Sequence, residues 1–307
     1  MIEPHPLSPG DKIGLIAPSR KVSMDDMHVC VQLLEKWGYT VVFGTNIHKK
    51  YHQFAGTDEE RAEDFVQMIL DPEVKAILCV RGGYGAVRIL EKLDKHQIQK
   101  NPKWVIGYSD ITVFHSYYNN VIGIETIHAS MPVNCKTETI KTDTWLMLRK
   151  ILQGDLINYD IPTHEFNHHG QSTAKLVGGN LSVLYSLRGT FCDVDMDGKI
   201  LFLEDLDEYL YHLDRMMMNL KISGKLKNLK GLIIGGMNEM KDNKVPFGKT
   251  AYEIIAEAVK DYDYPVIFNF PAGHSEPNLP LILGRTVIMD VTSEKVSLKF
   301  LDRNIRS

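Results

Sequence analysis

Residues 103–120, KWVIGYSDITVFHSYYNN, place an apolar strand, a Gly-Tyr-Ser-Asp turn and a helical segment in direct succession. Strands that alternate with helices in this way are typical of α/β proteins, in which parallel strands are joined by right-handed crossovers. Ser109 lies in the turn. It can cap the helix through its side-chain oxygen, which is the commoner role for such a serine, or it can be a nucleophile held on a sharp strand-to-helix elbow.

The same alternation runs through the first 130 residues of the chain. Apolar runs predict strands at 13–17, 40–44, 75–80, 103–108 and 121–128, and helical spacing predicts helices at 24–38, 57–70, 84–93 and 110–120. The N-terminal part is therefore predicted to form an open, mostly parallel α/β sheet. Ligands of such sheets bind beyond the carboxyl ends of the strands, so the loops after residues 80 and 108 are expected to face each other.

The pattern changes after residue 130, where a predicted helix at 140–152 leads into a polar stretch that contains several histidines and asparagines. Beyond it, strands and helices are mixed, and a hairpin is predicted at 285–300. A chain of 307 residues also exceeds the usual size of one domain. We therefore predict a first domain over 1–150, a linker over 151–169 and a smaller, mixed α/β domain over 170–307.

Composition and charge restrict the class of protein. With 44% hydrophobic residues, 24% charged residues and a net charge of −4, the chain resembles ordinary globular proteins and has no basic surplus for nucleic acid or an anionic membrane. We expect neither as a partner. The chain has no secretory signal pattern and no apolar run of the roughly 18–20 residues that span a bilayer, so we expect a cytoplasmic protein.

Metal and disulfide chemistry are not predicted. The four cysteines are too scattered to form a C-x-x-C pair or a zinc ribbon. His164, His168 and His169 lie close together in the polar stretch, but no cysteine or carboxylate pattern flanks them.

The turn after the third predicted strand reads RGGYGA (81–86). It does not match the G-x-G-x-x-G dinucleotide fingerprint, which follows a first strand, and no G-K-[ST] follows for a P-loop. A nucleotide-dependent oxidoreductase is therefore disfavoured. A Gly-Gly turn exposes backbone N–H groups to close approach, as an oxyanion or a substrate carboxylate requires, but it can equally be a tight turn without a ligand.

Two more polar residues follow predicted strands. Glu204 is the first polar residue after the apolar run ILFL, and His274 lies in a proline-containing segment after the strand at 265–270. A solvated acidic loop and an exposed histidine are the alternatives. Together with Ser109, however, they supply the nucleophile, base and orienting acid of serine hydrolysis, in the chain order of α/β-hydrolases. Ile111 stands where the G-x-S-x-G elbow has its second glycine, which disfavours an ordinary α/β-hydrolase.

Several motifs resemble, in order and approximate spacing, the L,D-carboxypeptidase family of serine peptidases, which also includes the microcin C immunity peptidases. The motifs are IGLIAPS, RGGYGAVRIL, GYSDIT, KLVGGNLSVL, LFLED and PAGH, and they span nearly the whole chain. The resemblance implies a Rossmann-like N-terminal domain, a smaller C-terminal domain rich in β-structure, and a triad assembled between them. It also implies a homodimer and no cofactor or metal.

The resemblance assigns expected roles to individual residues. Ser109 of GYSD is the expected nucleophile, and Glu204 of LFLED and His274 of PAGH complete the expected Ser-His-Glu triad. Backbone N–H groups of Gly83 and Asp110 form the expected oxyanion hole, in agreement with the facing loops inferred above.

Two substrate classes remain open within the family. Murein-recycling members cut the bond between the L-centre of a diamino acid and terminal D-alanine in a tetrapeptide, whereas immunity members cut an amide in a peptidyl nucleotide. The second type has a longer stretch between serine and glutamate, with an aromatic element that stacks on the nucleobase. Here Ser109 and Glu204 are 95 positions apart (204 − 109), which favours the murein peptide.

Arg81 and Gly82 are candidates for binding the substrate. A guanidinium matches the geometry of a carboxylate, although a structural ion pair explains Arg81 equally well. A non-catalytic module that captures peptides in the interdomain cleft is the alternative of a different class.

Overall fold

The computed structural model describes residues 1–302 and contains two β-sheets and a set of helices. The strands are β1 (Lys12–Ile16), β2 (Thr40–Phe43), β3 (Val74–Cys79), β4 (Trp104–Gly107), β5 (Thr126–His128), β6 (Asn158–Ile161), β7 (Gly170–Asn180), β8 (Ile200–Leu206), β9 (Gly231–Asn238), β10 (Val266–Ile267), β11 (Leu281–Leu283), β12 (Thr286–Val291) and β13 (Val296–Phe300). The α-helices are α1 (His28–Lys36), α2 (Asp58–Leu70), α3 (Lys95–Lys100), α4 (Thr112–Ser116), α5 (Asp143–Leu152), α6 (Leu181–Ser186), α7 (Leu210–Ile222) and α8 (Ala251–Val259). Within residues 1–302, no helix has the length and apolar character needed to cross a lipid bilayer.

The first sheet has the strand order β11-β5-β4-β3-β1-β2. Neighbouring strands are parallel except for β11 and β5, which pair antiparallel with Leu281 opposite His128. The central strands β1 and β3 consist almost entirely of buried residues, as expected for parallel strands covered on both faces. The prediction of an open, mostly parallel sheet is confirmed.

The second sheet has the order β10-β9-β8-β7-β12-β13-β6. β7 to β10 pair in parallel, and β12, β13 and β6 continue the sheet in antiparallel pairing. The hairpin predicted at 285–300 forms β12 and β13. This half of the chain is therefore mixed α/β and rich in β-structure, as predicted.

Two strands are absent from the predicted set. β6 lies inside the predicted linker 151–169 and pairs with β13, so that residues 158–161 are part of the second sheet, a correction to the linker prediction. β11 comes from the predicted second domain, 170–307, yet it forms an edge of the first sheet. Both pairings join residues that are far apart in the sequence, which local patterns do not encode. The limits of the two domains stay a prediction.

The helix predicted at 110–120 consists of three segments. A 3₁₀ turn at Ser109–Ile111 leads into α4, and a π-helical turn at Tyr117–Ile122 follows. The segment ends at Gly123, whose φ of 84° is the left-handed conformation that glycine adopts without a steric penalty. Because the helical segment extends to residue 122, the fifth strand is shorter than the predicted 121–128.

One hydrophobic cluster connects the two sheets. It includes Leu15 and Leu78 of the first sheet together with Leu176, Phe202 and Leu298 of the second, and each of these side chains is buried. Separating the sheets would expose apolar surface on both of them, so the shared cluster packs them as one unit.

A buried ion pair also ties the sheets together. Arg285, between β11 and β12, is 5% exposed, and its Nε and Nη2 donate to Oε2 of Glu125 at 2.9 and 2.7 Å. Glu125 directly precedes β5 and is 2% exposed. Arg285 also donates to Glu3 near the N-terminus. Removing one partner of a buried pair leaves the other charge without full compensation.

The substitution Glu125→Gln is therefore expected to lower the free energy of unfolding by about 3 kcal/mol, because Arg285 would stay buried without this carboxylate. Urea denaturation followed by circular dichroism measures the change. Glu73→Gln is the matched control, since it breaks the exposed pair between Lys12 and Glu73 and should leave the midpoint nearly unchanged. Equal midpoints for the two variants would contradict the stabilising role of the buried pair.

Candidate active site

Ser109 lies in a strained turn directly after β4. Its φ is 63°, in the left-handed region, which costs a residue with a side chain about 1–2 kcal/mol. The N-caps of the two helical segments that follow are Tyr108 and Ile111, so Ser109 caps neither of them. Of the two roles open in the sequence, capping is not seen, and the strained strand-to-helix turn has the form of a nucleophile elbow.

Ile111 packs over the glycine that ends β4. A Cβ added at Gly107 would lie 2.9 Å from Cγ1 of Ile111, and Gly107 has a φ of 156°. The elbow therefore needs glycine at its first position and fills the second with an apolar side chain. This is the local packing behind the departure from G-x-S-x-G.

The glycine turn faces the serine turn, as predicted. A Cβ added at Gly82 would lie 3.3 Å from Cβ of Ser109 and 3.4 Å from the backbone nitrogen of Asp110. The carboxylate of Asp110 joins the loops, because its Oδ2 accepts hydrogen bonds from Ser19 Oγ at 2.6 Å and from the Ala86 N–H at 2.9 Å.

Arg61 of α2 binds the backbone of the loops that follow β1 and β3. Its guanidinium, 1% exposed, donates to the carbonyl of Gly85 at 2.8 Å and to that of Pro18, and it pairs with Asp58. No sequence motif assigned a role to Arg61. The available signal was its helical spacing with the buried Phe65, which places a charge on the apolar face of α2.

His274 and Glu204 form a buried pair on the second sheet. Glu204 is at the carboxyl end of β8 and is fully buried, and its Oε2 lies 2.7 Å from Nδ1 of His274. The loop that carries His274 packs closely against Glu204. Gly273 in this loop has a φ of 107°, and a Cβ there would lie 2.7 Å from Glu204. Asn238 of β9 donates to the His274 carbonyl at 2.6 Å.

The pair changes the protonation equilibrium of His274. Burial lowers the pKa of its imidazole, but the charge of Glu204 and the hydrogen bond to its carboxylate raise that pKa more, so the pKa lies above the ordinary value of 6.5. Asp205 and Glu239 add to the increase. The imidazolium form is thus stabilised beside Glu204, as a base that accepts a proton during a reaction requires.

His274 and the serine turn meet at a cleft. The ring centroids of Tyr108 and His274 are 4.7 Å apart, and Tyr108 is the neighbour of Ser109 in the chain. Both rings line a cleft of about 400 Å³ that also contacts Asn134 and Glu239. Within residues 1–302, Ser109 Oγ and the His274 ring do not form a hydrogen bond, and such contacts are often long in a site without substrate.

The remaining predicted residues lie around the glycine turn. Gly83 has a φ of 107° and its backbone is exposed, whereas Gly82 is buried against Ser109. Arg81 is partly buried, and its Nη1 lies 3.5 Å from the carbonyl oxygen of Lys21.

The histidine group of the polar stretch, His164, His168 and His169, does not line the cleft between Tyr108 and His274. His164 packs among aromatic rings, with Phe166, Tyr252 and Phe268 as neighbours. No group of three or more histidine, cysteine or acidic side chains with the geometry of a metal site occurs in the part of the chain that the structure describes.

Comparison with known proteins places the chain in a family. Residues 13–129 match the LD-carboxypeptidase N-terminal domain, and residues 173–289 match the LD-carboxypeptidase C-terminal domain. The chain is 32% identical to a probable murein peptide carboxypeptidase of Bacillus subtilis (strain 168) over 96% of this chain and 93% of that protein. It is 26% identical to the microcin C7 self-immunity protein MccF of Escherichia coli over 97% of both chains.

A solved structure extends the similarity to the whole fold. The crystal structure of muramoyltetrapeptide carboxypeptidase from Oxalobacter formigenes superposes with a TM-score of 0.87 at 27% identity, covering 95% of this chain and 99% of that one. Both halves of the chain match in order, and the two mixed sheets agree with the family's solved fold. The protein therefore belongs to the LD-carboxypeptidase family.

Proposed function

We propose that this protein is a serine carboxypeptidase that hydrolyses an L,D-amide bond in murein-derived peptides and releases terminal D-alanine from a tetrapeptide. The observation that carries the proposal is the buried Glu204–His274 pair beside a serine held in a strained elbow. A buried carboxylate on Nδ1 fixes the tautomer of the imidazole and leaves Nε2 free to accept a proton. A peptide-binding module would need neither feature.

In the proposed mechanism, Ser109 Oγ attacks the scissile carbonyl carbon while His274 Nε2 takes the hydroxyl proton. Glu204 stabilises the resulting imidazolium. When the tetrahedral intermediate collapses, the C–N bond breaks and His274 gives its proton to the leaving amine of D-alanine. Water then attacks the acyl-enzyme with His274 again as base, which regenerates Ser109 and releases the shortened peptide.

Backbone N–H groups of Gly83 and Asp110 are the proposed oxyanion donors. The support is the close approach of the glycine turn to the backbone nitrogen of Asp110, 3.4 Å from the Cβ position of Gly82. Preorganised donors of this kind act because they need no reorganisation as charge develops on the oxygen. Arg81 and Gly82, at the start of the same turn, are proposed to contact the substrate.

The substrate class rests on two observations. Relatives with between 27% and 32% identity have names that describe murein peptide or muramoyltetrapeptide carboxypeptidases. The 95-position interval between Ser109 and Glu204 favours the same class. The proposal includes the homodimer that the family resemblance implies and the cytoplasmic location expected from the sequence.

Cleavage of peptidyl nucleotides is the second candidate function, favoured by the 26% identity with MccF. Incubation with murein tetrapeptide and, separately, with a peptidyl sulfamoyl-adenylate separates the two functions by mass spectrometry. Release of D-alanine supports our proposal, and cleavage of the nucleotide substrate alone would replace it.

The substitution Ser109→Ala is expected to reduce D-alanine release by several orders of magnitude without changing the circular dichroism spectrum, because it removes the nucleophile from an otherwise folded site. A fluorophosphonate probe should label the unmodified protein at Ser109 and leave the variant unlabelled. Undiminished turnover by the variant would rule out this serine as nucleophile.

The substitution Glu204→Gln is expected to lower kcat by about 10⁴-fold, since an amide cannot hold the productive tautomer or stabilise the imidazolium. It should also change the pH profile. His274 must be neutral to act as base, so activity falls as the pH drops through its pKa, which Glu204 raises. Removing that carboxylate should move the acidic limb of kcat/KM to lower pH. If the acidic limb of the kcat/KM profile does not move in Glu204→Gln, a group other than His274 controls it.

A further inference from the structure

A basic groove adjoins the glycine turn (residues 81–86), called the oxyanion turn below because it carries the proposed oxyanion donor Gly83. Arg20, Lys21, His52, Gln53 and Arg81 line this open groove, which has a volume of about 510 Å³. Arg20 follows β1 and Arg81 follows β3, and these strands are neighbours in the first sheet. The groove therefore lies at the carboxyl edge of the sheet, and its lining carries three cationic side chains and no carboxylate.

Within residues 1–302, the two arginines of the groove form no ion pair with a carboxylate and no contact with an aromatic ring. Four other arginines of residues 1–302, namely Arg61, Arg88, Arg188 and Arg285, pair with carboxylates, and Arg149 and Arg215 lie over aromatic rings. Within those same residues, Arg20 and Arg81 make neither kind of contact. A structural ion pair, which the sequence left open for Arg81, is therefore absent, and both guanidinium groups remain available to an anion.

Arg20 lies directly over the oxyanion turn. A Cβ added at Gly83 would lie between 2.6 and 2.9 Å from Cδ, Nε and Cγ of Arg20, so the arginine stem covers the face of this glycine. Gly82, the neighbouring residue of the same turn, lies against Ser109. Arg20 and the proposed nucleophile therefore approach adjacent residues of one loop.

The backbone around Arg20 is held on both sides. The carbonyl of Ser19 accepts a hydrogen bond from Ala55 N–H at 3.2 Å, and Lys21 N–H donates to the carbonyl of Gln53 at 2.9 Å. The hydroxyl of Ser19 donates to Asp110, the residue after the nucleophile. The backbone of Arg20 is thus fixed in position. Its neighbour Ser19 makes the hydrogen bond to Asp110 that joins this loop to the serine turn.

The closeness of Arg20 to the glycine turn suits the terminal carboxylate of a carboxypeptidase substrate. In a terminal residue, only the amide nitrogen and Cα separate the scissile carbonyl carbon from the carboxylate carbon, a span of about 4 Å. When the carbonyl oxygen lies at the Gly83 backbone, the terminal carboxylate of the leaving residue is therefore expected within reach of the Arg20 guanidinium, whose stem lies against that glycine.

We infer that this groove is the subsite for the free α-carboxylate of the leaving residue, with Arg20 as its main contact and Arg81 as a second. The inference rests on the proposed hydrolysis at Ser109. It explains why cleavage would be confined to the last residue of a peptide, since an internal residue carries no carboxylate at this position. The sulfonyl group of a peptidyl sulfamoyl nucleotide offers similar anion chemistry.

Binding to the Ser109→Ala protein tests the subsite without turnover. Isothermal titration compares a murein tetrapeptide that ends in D-alanine with the same peptide ending in D-alaninamide. We expect the free acid to bind about tenfold or more tightly, and this preference to weaken as salt is raised because the groove is open to solvent. Arg20→Gln in the same background should lose most of this preference, since only the second contact, Arg81, remains. Arg215→Gln removes an exposed arginine on α7 and should keep the preference.

Equal binding of acid and amide by the Ser109→Ala protein, or a preference that Arg20→Gln leaves undiminished, would overturn the subsite. Aspartyl sulfamoyl adenosine is the third ligand. Arg20-dependent binding of this compound, without binding of the tetrapeptide, would assign the groove to a sulfonyl group and overturn the carboxylate assignment.

A hydrolysis assay with Ser109 intact separates this inference from the proposed function. If the acid preference is present but no D-alanine is released, the subsite stands and the murein peptidase function fails. If the acid peptide releases D-alanine and the amide peptide releases D-alaninamide equally fast, the function stands and the subsite fails. If the acid peptide is preferred in both the binding and the hydrolysis assays, and Arg20→Gln reduces kcat/KM for the acid peptide about tenfold, the subsite and the function are both supported.

Discussion

The buried carboxylate of Asp110 is the contact on which the geometry of the site depends. It accepts hydrogen bonds from the Ser19 hydroxyl and the Ala86 N–H, so one side chain joins the loops that follow β1, β3 and β4. Burial raises the pKa of Asp110, and these hydrogen bonds and the nearby charges of Arg61 and Arg20 oppose that increase. A buried carboxylate that lost these partners would be costly. The serine turn, the glycine turn and the basic groove are therefore positioned together.

The strained backbone at Ser109 persists because the residues around it are fixed by packing and hydrogen bonds. Nε2 of the buried His115 lies 2.9 Å from the carbonyl oxygen of Gly107, and its Nδ1 lies 2.9 Å from Thr126 Oγ1. Burial lowers the pKa of His115 to about 4, so the ring is neutral near pH 7 and can donate through one nitrogen while it accepts through the other. The left-handed backbone of Ser109 is therefore supported by a strand end that is itself held by hydrogen bonds.

The sequence predicted the parts of this site that local patterns determine. Alternating apolar runs and helical spacing identified the first sheet, and the position of a strand end predicted that the loops after residues 80 and 108 meet. It did not predict β11, β6 or the bracing by Arg61, since each depends on residues that only the folded chain brings together. A three-residue strand such as β11 has almost no periodicity to detect. The proposed roles of Ser109, His274 and Glu204 came from a combination of weak local signals and a family resemblance.

The arrangement divides the proposed chemistry between the two sheets. The serine turn, the glycine turn and the basic groove belong to the first sheet, whereas the proposed base and its carboxylate belong to the second. Their alignment therefore depends on how the sheets are joined. Leu15 and Phe202 belong to one core cluster, and the chain passes from β11 in the first sheet through Arg285 to β12 in the second. Because that connection is buried and ion-paired, it helps to hold the sheet that carries His274 against the sheet that carries Tyr108.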